Sequence, residues 1–206
     1  LSTAAVILAA GKGTRFKSEL PKVLHRAAGR TLLRHVLEAV RPLGCSQVVV
    51  VVGHGRDEVT EELGVTGMEG ITTVVQEQQL GTGHAVQVAM PALADGVERV
   101  VVLPGDTPLI TAGALEALLE PDHDVELLSG VLDDAAGYGR IIRDQDGSVR
   151  AIVEHRDATD QQRAIGEFNA GMYAFERSLL ADALTDLDSH NDQGERYLTD
   201  VVAIAR

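Results

Sequence analysis

Two glycines and four cationic side chains stand within a dozen residues near the start of this chain. The segment reads Leu8-Ala9-Ala10-Gly11-Lys12-Gly13-Thr14-Arg15-Phe16 and is followed by Pro21-Lys22-Val23-Leu24. An apolar run, Ala4 to Ala10, stops at Gly11. Glycine lets a backbone approach a ligand closely, and bare N–H groups at a strand-to-helix turn suit phosphate oxygens. Arg15 and Lys22 would neutralise phosphate charge beside them. The pattern implies a nucleotide site. It is not a Walker A loop, which needs four residues between the first glycine and Gly-Lys-Ser/Thr. It is not the dinucleotide fingerprint either, because Phe16 stands where the third glycine belongs.

Charge supports a local anion site. The 206-residue chain carries a net charge of −13. Between Lys12 and Arg41 there are eight bases against two acids, Glu19 and Glu38, so that window is +6 and the remainder −19. Such a protein attracts a small anion at its basic patch while repelling long polyanions. With three Tyr, three Phe and no Trp it also has few stacking platforms, so nucleic acid is not an expected partner. Arg34 and Arg41 read as bases on a solvated helix face. Cys45 is the single cysteine. It excludes an internal disulfide framework and reads as a small hydrophobe at the mouth of a strand. The seven histidines are scattered and make no zinc pattern. No apolar run approaches the roughly 18 residues of a membrane span. Leu1–Ala10 has signal-like hydrophobicity but no basic flank, and it runs into the glycine loop, so it reads as a strand. A cytoplasmic location is expected.

The elements that must position these residues alternate. Strands are expected at Ala4–Ala10, Gln47–Val52, Ile71–Val75, Arg99–Leu103 and Val125–Leu132. Helices are expected at Leu32–Leu43, Asp57–Leu63, Gly83–Leu93 and Ala112–Leu119, the last capped by Thr111. The valine run Gln47–Val52 marks a strand buried on both faces. This order predicts an α/β fold, a mostly parallel sheet with helices on both faces. After Asp133 the rhythm changes. Arg140–Arg143 and Val149–Val153 flank Asp144-Gln145-Asp146-Gly147, a hairpin signature. A strand at Phe168–Phe175, a helix at Ser178–Leu184 and a helix from Tyr197 to Ala205 follow. The second half is expected to extend the same sheet, making residues 1–206 one domain.

Ligands of open parallel sheets bind at the carboxyl ends of the strands. The residues placed there are the Gly11 loop, Gly53-His54-Gly55, Gln76 with Gly81-Thr82-Gly83, and Pro104-Gly105-Asp106. Taken singly, these residues and those further along have plainer readings. Gln76 reads as an exposed loop amide, Asp106 as a turn or cap residue and Glu154 as a surface carboxylate. Asn169 reads as a semi-buried amide that needs partners. Tyr197 reads as a core residue of the last helix, and His25, His54 and His84 as structural.

Together they say more. Leu-Ala-Ala-Gly-x-Gly-Thr-Arg followed by Pro-Lys-Val-Leu resembles the signature of sugar-nucleotide pyrophosphorylases. Further segments occur in the order of one group within that superfamily. They are Gln76 with Gln79-Leu80-Gly81-Thr82-Gly83-His84-Ala85, Gly105-Asp106-Thr107-Pro108-Leu109 and Gly137-Tyr138-Gly139-Arg140-Ile141. Ile152-Val153-Glu154-His155 with Asp157-Ala158-Thr159, Asn169-Ala170-Gly171 and Tyr197-Leu198-Thr199-Asp200 complete the set. The chain resembles, over essentially its whole length, the uridyltransferase domain of bifunctional N-acetylglucosamine-1-phosphate uridyltransferase/glucosamine-1-phosphate acetyltransferases.

That resemblance implies a Rossmann-like nucleotide-diphospho-sugar transferase fold with an added β-hairpin region. It implies transfer of a uridylyl group from UTP to N-acetylglucosamine 1-phosphate with Mg²⁺ as cofactor, feeding UDP-N-acetylglucosamine and cell-wall peptidoglycan synthesis. Leu8, Ala9, Ala10 and Gly11 would hold the uridine and ribose, and Arg15 and Lys22 the phosphates. Gln76, Gly81 and Thr82 would read the uracil edge. Asp106, after Pro104 and Gly105, would bind Mg²⁺. Gly139, Glu154 and Asn169 would hold the sugar, with Tyr197 lining that side. Arg15, Lys22 and Asp106 would carry the catalysis, and no side-chain nucleophile is implied.

The chain also departs from its family. Some relatives carry tyrosine where Pro104 stands, which bears on a ribose or sugar contact and not on the metal carboxylate. The family's second metal ligand, an asparagine, lies beyond the Tyr-x-Thr-Asp segment, past Arg206. The chain begins at Leu1 and shows no hexapeptide repeats of a β-helix acetyltransferase domain. It therefore reads as part of a longer protein, expected by itself to bind metal poorly and to turn over slowly. The family's trimers are built by the β-helix domain, so a homotrimer is expected of the longer protein and a monomer is open to this chain. Two alternatives stay open: a thymidylyl- or guanylyltransferase of another sugar 1-phosphate, and a non-catalytic nucleotide-sugar sensor. Gln76 with Leu80–His84, and the pair Glu154 and Asn169, favour uridine and N-acetylglucosamine. Asp106 and Lys22 argue against a sensor.

Overall fold

The computed structural model describes residues 1–13, 17–120 and 122–206. Arg15 therefore lies outside the described residues. Its elements run β1 (Thr3–Ala9), β2 (Arg26–Ala27), β3 (Arg30–Thr31), α1 (Leu32–Val40), β4 (Gln47–Val52), α2 (Arg56–Val65) and β5 (Ile71–Val75). There follow α3 (Thr82–Ala89), β6 (Arg99–Pro104), α4 (Ala112–Leu118), β7 (Val125–Val131), β8 (Arg140–Arg143) and β9 (Val149–Val153). The last are α5 (Asp160–Arg163), β10 (Glu167–Glu176), α6 (Arg177–Thr185) and α7 (Val201–Ile204).

Strands β5, β4, β1 and β6 lie side by side and parallel. Their side chains alternate between two cores, as the two-residue strand period requires. Ala4, Val6, Val49, Val51, Val100 and Val102 face a core covered by α3, α6 and α7. Ala5, Ile7, Val50, Val52, Val101 and Leu103 face the opposite core, covered by α1, α2 and α4. Burial on both faces explains why these strands read as unbroken valine and alanine runs.

β10 joins β6 antiparallel and carries the rest of the sheet. Its end, Tyr173 to Glu176, pairs with β6, while Phe168 pairs with Arg140 of β8. Between them the register shifts and Gly171 takes φ +76°. β7 also pairs with β10. The β8–β9 hairpin closes over Asp144–Gly147, with Gly147 at φ +86°. The second half thus extends the first sheet, as expected.

Differences from the sequence reading have local causes. The helix expected to reach Leu43 ends at Val40 and becomes a 3-10 turn, because Pro42 offers no N–H. Pro91 ends α3 at Ala89 in the same way. The helix expected from Tyr197 is broken up. Tyr197 is extended, and Leu198–Asp200 makes a 3-10 turn before the four-residue α7. The N–H of Leu198 is bonded to the Thr82 hydroxyl at 3.0 Å, so tertiary contact overrides the helical periodicity there. The short α5 carries a capping box, Thr159 with Gln162, that marks a helix start.

Arg140 is buried, and among the described residues its partners are carbonyls. Its guanidinium donates to the carbonyls of Ile165 at 2.8 Å, Arg163 at 3.2 Å and Tyr138. These bonds pin the 163–165 turn to β8. Arg140→Met should cost about 3 kcal/mol, because three carbonyls lose a charged donor at once. Urea denaturation of the variant checks this.

Candidate active site

The parallel register sets four loops next to one another. Leu8 lies between Val51 and Pro104, and Val52 lies between Ala9 and Val75. The Gly11 loop, Gly53, Gln76 and Gly105-Asp106 therefore emerge along one edge of the sheet. Gly105 donates its N–H to Leu8 O at 2.9 Å. A Cβ on Gly105 would come within 3.1 Å of that oxygen. Gly53 is tighter: a Cβ there would stand 2.9 Å from Ala10 Cβ and from Gln79 Nε2. Such close approach is what glycine permits at these loops. A cavity of about 370 Å³ lies against Lys12, Gly53, His54 and Gln76 at the ends of β4 and β5.

Lys22 and Asp106 meet at this edge. The Lys22 Nζ pairs with Asp106 Oδ2, with the side chains 33% and 23% exposed. Lys22 also packs under Gly13, where a Cβ would lie 2.7 Å from Lys22 Cβ. The turn after β6 is made by Thr107, whose hydroxyl donates to Pro104 O at 3.1 Å. Asp106 lies in that turn, as its reading alone suggests, and its side chain also pairs with Lys22. It is a partly accessible carboxylate already holding one cation. Among the described residues no three His, Cys, Asp or Glu side chains converge on a metal-sized site. A lone carboxylate suits Mg²⁺, which is held by one or two carboxylates with phosphate oxygens and water. The donor set fits.

The base-side residues are more enclosed than expected. Gln76 is only 3% exposed, which corrects its reading as a loop amide on the surface. Its side-chain N–H groups donate to Gly81 O and to His84 Nδ1, both at 3.0 Å. Gln79 donates to Gln76 O at 3.0 Å. The Thr82 hydroxyl accepts from Leu198 N–H. Gly81 stands at φ +107°, hard against the Arg196 backbone.

A second cluster brings Gly139, Glu154 and Asn169 together. Asn169 N–H donates to Gly139 O at 2.9 Å, and a Cβ on Gly139 would lie 3.4 Å from Glu154 Oε1. The buried Asn169 amide finds the partners it needs. Its Oδ1 accepts from Gly171 N–H at 3.0 Å and its Nδ2 donates to Tyr173 OH at 2.6 Å. Thr199 donates to Glu154 at 3.3 Å. Tyr197 is buried, and its hydroxyl accepts from Gln193 at 2.8 Å. Pro104 faces the kink of β10 at Gly171. Tyr173, Thr199 and His84 are members of this site that the sequence reading left without a role. Thr199 and His84 stood in quoted motifs, His84 read there as structural, while Tyr173 stood in none; its contact is to Asn169, four residues earlier in the same strand.

Burial pushes the Glu154 carboxyl above its ordinary range, and Asp157 and Asp200 add to this although Thr199 opposes it. Burial raises Asp200 too, with Asp188 and Asp157. A carboxyl raised in the folded state favours folding most when protonated. That contribution is complete below the unfolded value and is lost as pH rises through the folded one. Glu154→Gln should therefore gain stability over the wild type as pH rises from about 4 to 7. Denaturation midpoints at both ends of that range test this. A pH-independent difference would contradict it.

The layout is that of a nucleotide-handling α/β sheet, and the chain belongs to the MobA-like NTP transferase family, whose model matches residues 5–138. Its fold is that of the sugar-nucleotide pyrophosphorylases. It superimposes on UDP-glucose pyrophosphorylase complexed with UDP-glucose with a TM-score of 0.80, at 17% identity, over 98% of this chain and 86% of that one. A putative glucose-1-phosphate thymidylyltransferase from Bacillus anthracis gives 0.77 at 19% identity, over 97% and 81%. In sequence the chain is similar to the Bifunctional protein GlmU of Exiguobacterium sp., 48% identical over 98% of this chain and 45% of that protein. The Bifunctional protein GlmU of Pseudomonas putida is 49% identical over 100% and 44%. The chain thus spans under half the length of these relatives. No helix among the described residues is long and apolar enough to cross a membrane.

Proposed function

We propose that residues 1–206 are the uridyltransferase domain of a longer, bifunctional cytoplasmic protein, joining UTP and N-acetylglucosamine 1-phosphate to give UDP-N-acetylglucosamine and pyrophosphate. The observation that carries this reading is the bridge made by residues 195–200. Arg196 donates its N–H to Leu80 O and accepts from Gly83 N–H, both at 2.8 Å. Leu198 bonds Thr82, and Thr199 bonds Glu154. One strap thus ties the base-side loop to the Gly139, Glu154 and Asn169 cluster. A two-substrate enzyme needs such a tie to hold both reactants in register.

In this reading Leu8–Gly11 cradle uridine and ribose, Lys22 and Arg15 hold phosphates, and Gln76, Gly81 and Thr82 read uracil. Gly139, Glu154 and Asn169 hold the sugar, beside Tyr197. A phosphate oxygen of the sugar phosphate bonds to the α-phosphorus of UTP, and the bond to the β-phosphate oxygen breaks. The attacking oxygen is already an anion, so no general base is required. The protein's task is to bring two anions together and to offset charge on the departing pyrophosphate. Asp106 would hold Mg²⁺, which when bound supplies Lewis-acid stabilisation of phosphate charge. The acetyl transfer to glucosamine 1-phosphate and the trimeric assembly would belong to the rest of the longer protein.

The test supplies [α-³²P]UTP, N-acetylglucosamine 1-phosphate and Mg²⁺ to the longest natural chain that contains this sequence. Label should move into UDP-N-acetylglucosamine with one pyrophosphate released per sugar nucleotide. Label remaining in UTP, or passing into UMP, would overturn the reading.

A further inference from the structure

Asn169 is held at both ends of its side-chain amide. Its Oδ1 accepts from Gly171 N–H at 3.0 Å, and its Nδ2 donates to the Tyr173 hydroxyl at 2.6 Å. The first bond settles the orientation, because a backbone N–H can only donate and so must face the carbonyl. Tyr173 has no part in that choice, since a hydroxyl serves as donor or acceptor. What it adds is a second anchor. An amide bonded at Oδ1 alone could still pivot about that bond; bonded at Nδ2 as well, it is fixed in place. The anchor is itself rigid. Tyr173 is 3% exposed, its ring stacks on Phe175 with centroids 5.5 Å apart, and its backbone pairs with Val102 of β6 and Leu127 of β7. The hydroxyl thus spans the register shift of β10, from the part paired with β6 to the part beside β8. Burial pushes the Tyr173 phenol above its ordinary range, and Glu154 adds to this although Asn169 opposes it. The hydroxyl therefore stays protonated at working pH.

We propose that Tyr173 is a positioning residue for the sugar phosphate: its hydroxyl fixes the place of the Asn169 amide, so that binding of the sugar, and not of the nucleotide, depends on it. The inference rests on the reading above in which Asn169 holds the sugar. Among the described residues the Asn169 amide uses one hydrogen and one carbonyl lone pair. The other hydrogen and lone pair suit a sugar hydroxyl, which both donates and accepts. Such bonds weaken steeply when the geometry drifts. Tyr173→Phe keeps the ring and removes the anchor, and the loss of one hydrogen bond is worth about tenfold in binding.

The experiment measures kcat and KM for both substrates in wild type, Tyr173→Phe, Asn169→Ala and the double variant, again in the longest natural chain. Tyr173→Phe should raise KM for N-acetylglucosamine 1-phosphate about tenfold and leave KM for UTP within about twofold. In the Asn169→Ala background the same change should leave the sugar KM within about twofold, because the effects of residues that act through one another do not add. A tyrosine with only a structural role would move both KM values together or neither, and its effect would persist without Asn169. Any of these results, in a protein whose Asn169→Ala variant binds the sugar phosphate weakly, overturns the proposal. An Asn169→Ala variant with an unaltered sugar KM would instead sink the sugar-site reading, and the proposal with it. Solvent exchange of the Asn169 side-chain amide, followed by NMR in the wild type, gives a test that no folding defect can confuse. It should be at least about tenfold slower than in a free asparagine, and exchange at the free rate would also overturn the proposal.

Discussion

Asp106→Ala is expected to lower kcat/KM by about 10³-fold, the scale of losing one preorganised electrostatic contact to a reacting phosphate. The side chain is partly accessible and pairs with the Lys22 ammonium. Loss of a half-exposed ion pair costs little, about 1 kcal/mol or less. Activity should therefore collapse in a protein that melts almost as before. A second readout separates the metal assignment from a simple folding defect. Removing the carboxylate lowers negative charge beside Lys22, so UTP binding without Mg²⁺ should be unchanged or tighter. The gain in affinity that Mg²⁺ brings to the wild type should vanish. Calorimetric titration with and without the metal measures both. Undiminished turnover in the variant would remove Asp106 from the site.

Gly81→Ala should be the most damaging small substitution. Gly81 holds φ +107° and ψ 175°, a region open in practice to glycine alone, at a cost of about 1–3 kcal/mol for other residues. The new Cβ would also run into Arg196, 2.8 Å from its backbone nitrogen and nearer to its carbonyl oxygen. A backbone cannot swing aside as a side chain does. The strap at 195–200 must move, taking the Thr82 and Glu154 bonds with it. We expect a loss of about 3 kcal/mol, a fall in Tm of about 10 °C, and weaker binding of both substrates. Gly96→Ala is the control, since no atom lies within 4 Å of the added Cβ. Equal melting of the two variants would show that the strap does not depend on Gly81.

The strands were the most legible part of this fold. β4, β5, β8 and β9 fall at the residues that valine runs and turn signals mark. Helix ends were less so, because the apolar period continues past Pro42 and Pro91 while the hydrogen-bond ladder does not. The insertion of β10 between β6 and β7 leaves no local signal, since its pairing with β6 spans some seventy residues. The short β2–β3 hairpin turns at Ala28, φ +48°, where alanine gives no turn signature. In the candidate site, that Lys22 and Asp106 stand at one edge of the sheet was legible because motif and topology agree. Gln76 was misread as exposed because its side chain turns inward to bond Gly81 and His84, partners that its own position does not announce. Thr82 and Thr199 show the same limit. Their hydroxyls are committed to partners 116 and 45 residues away.

The central claim is most directly tested by Mg²⁺-dependent pyrophosphate release, measured in the longest natural chain that contains this sequence. UTP, dTTP and GTP would each be paired with N-acetylglucosamine 1-phosphate, glucose 1-phosphate and mannose 1-phosphate. The account predicts fastest release with UTP and N-acetylglucosamine 1-phosphate, by at least about 100-fold over any pair with a guanine base, because a wrong base leaves buried polar groups unpaired. Faster release with another pair, or none with any, would contradict it.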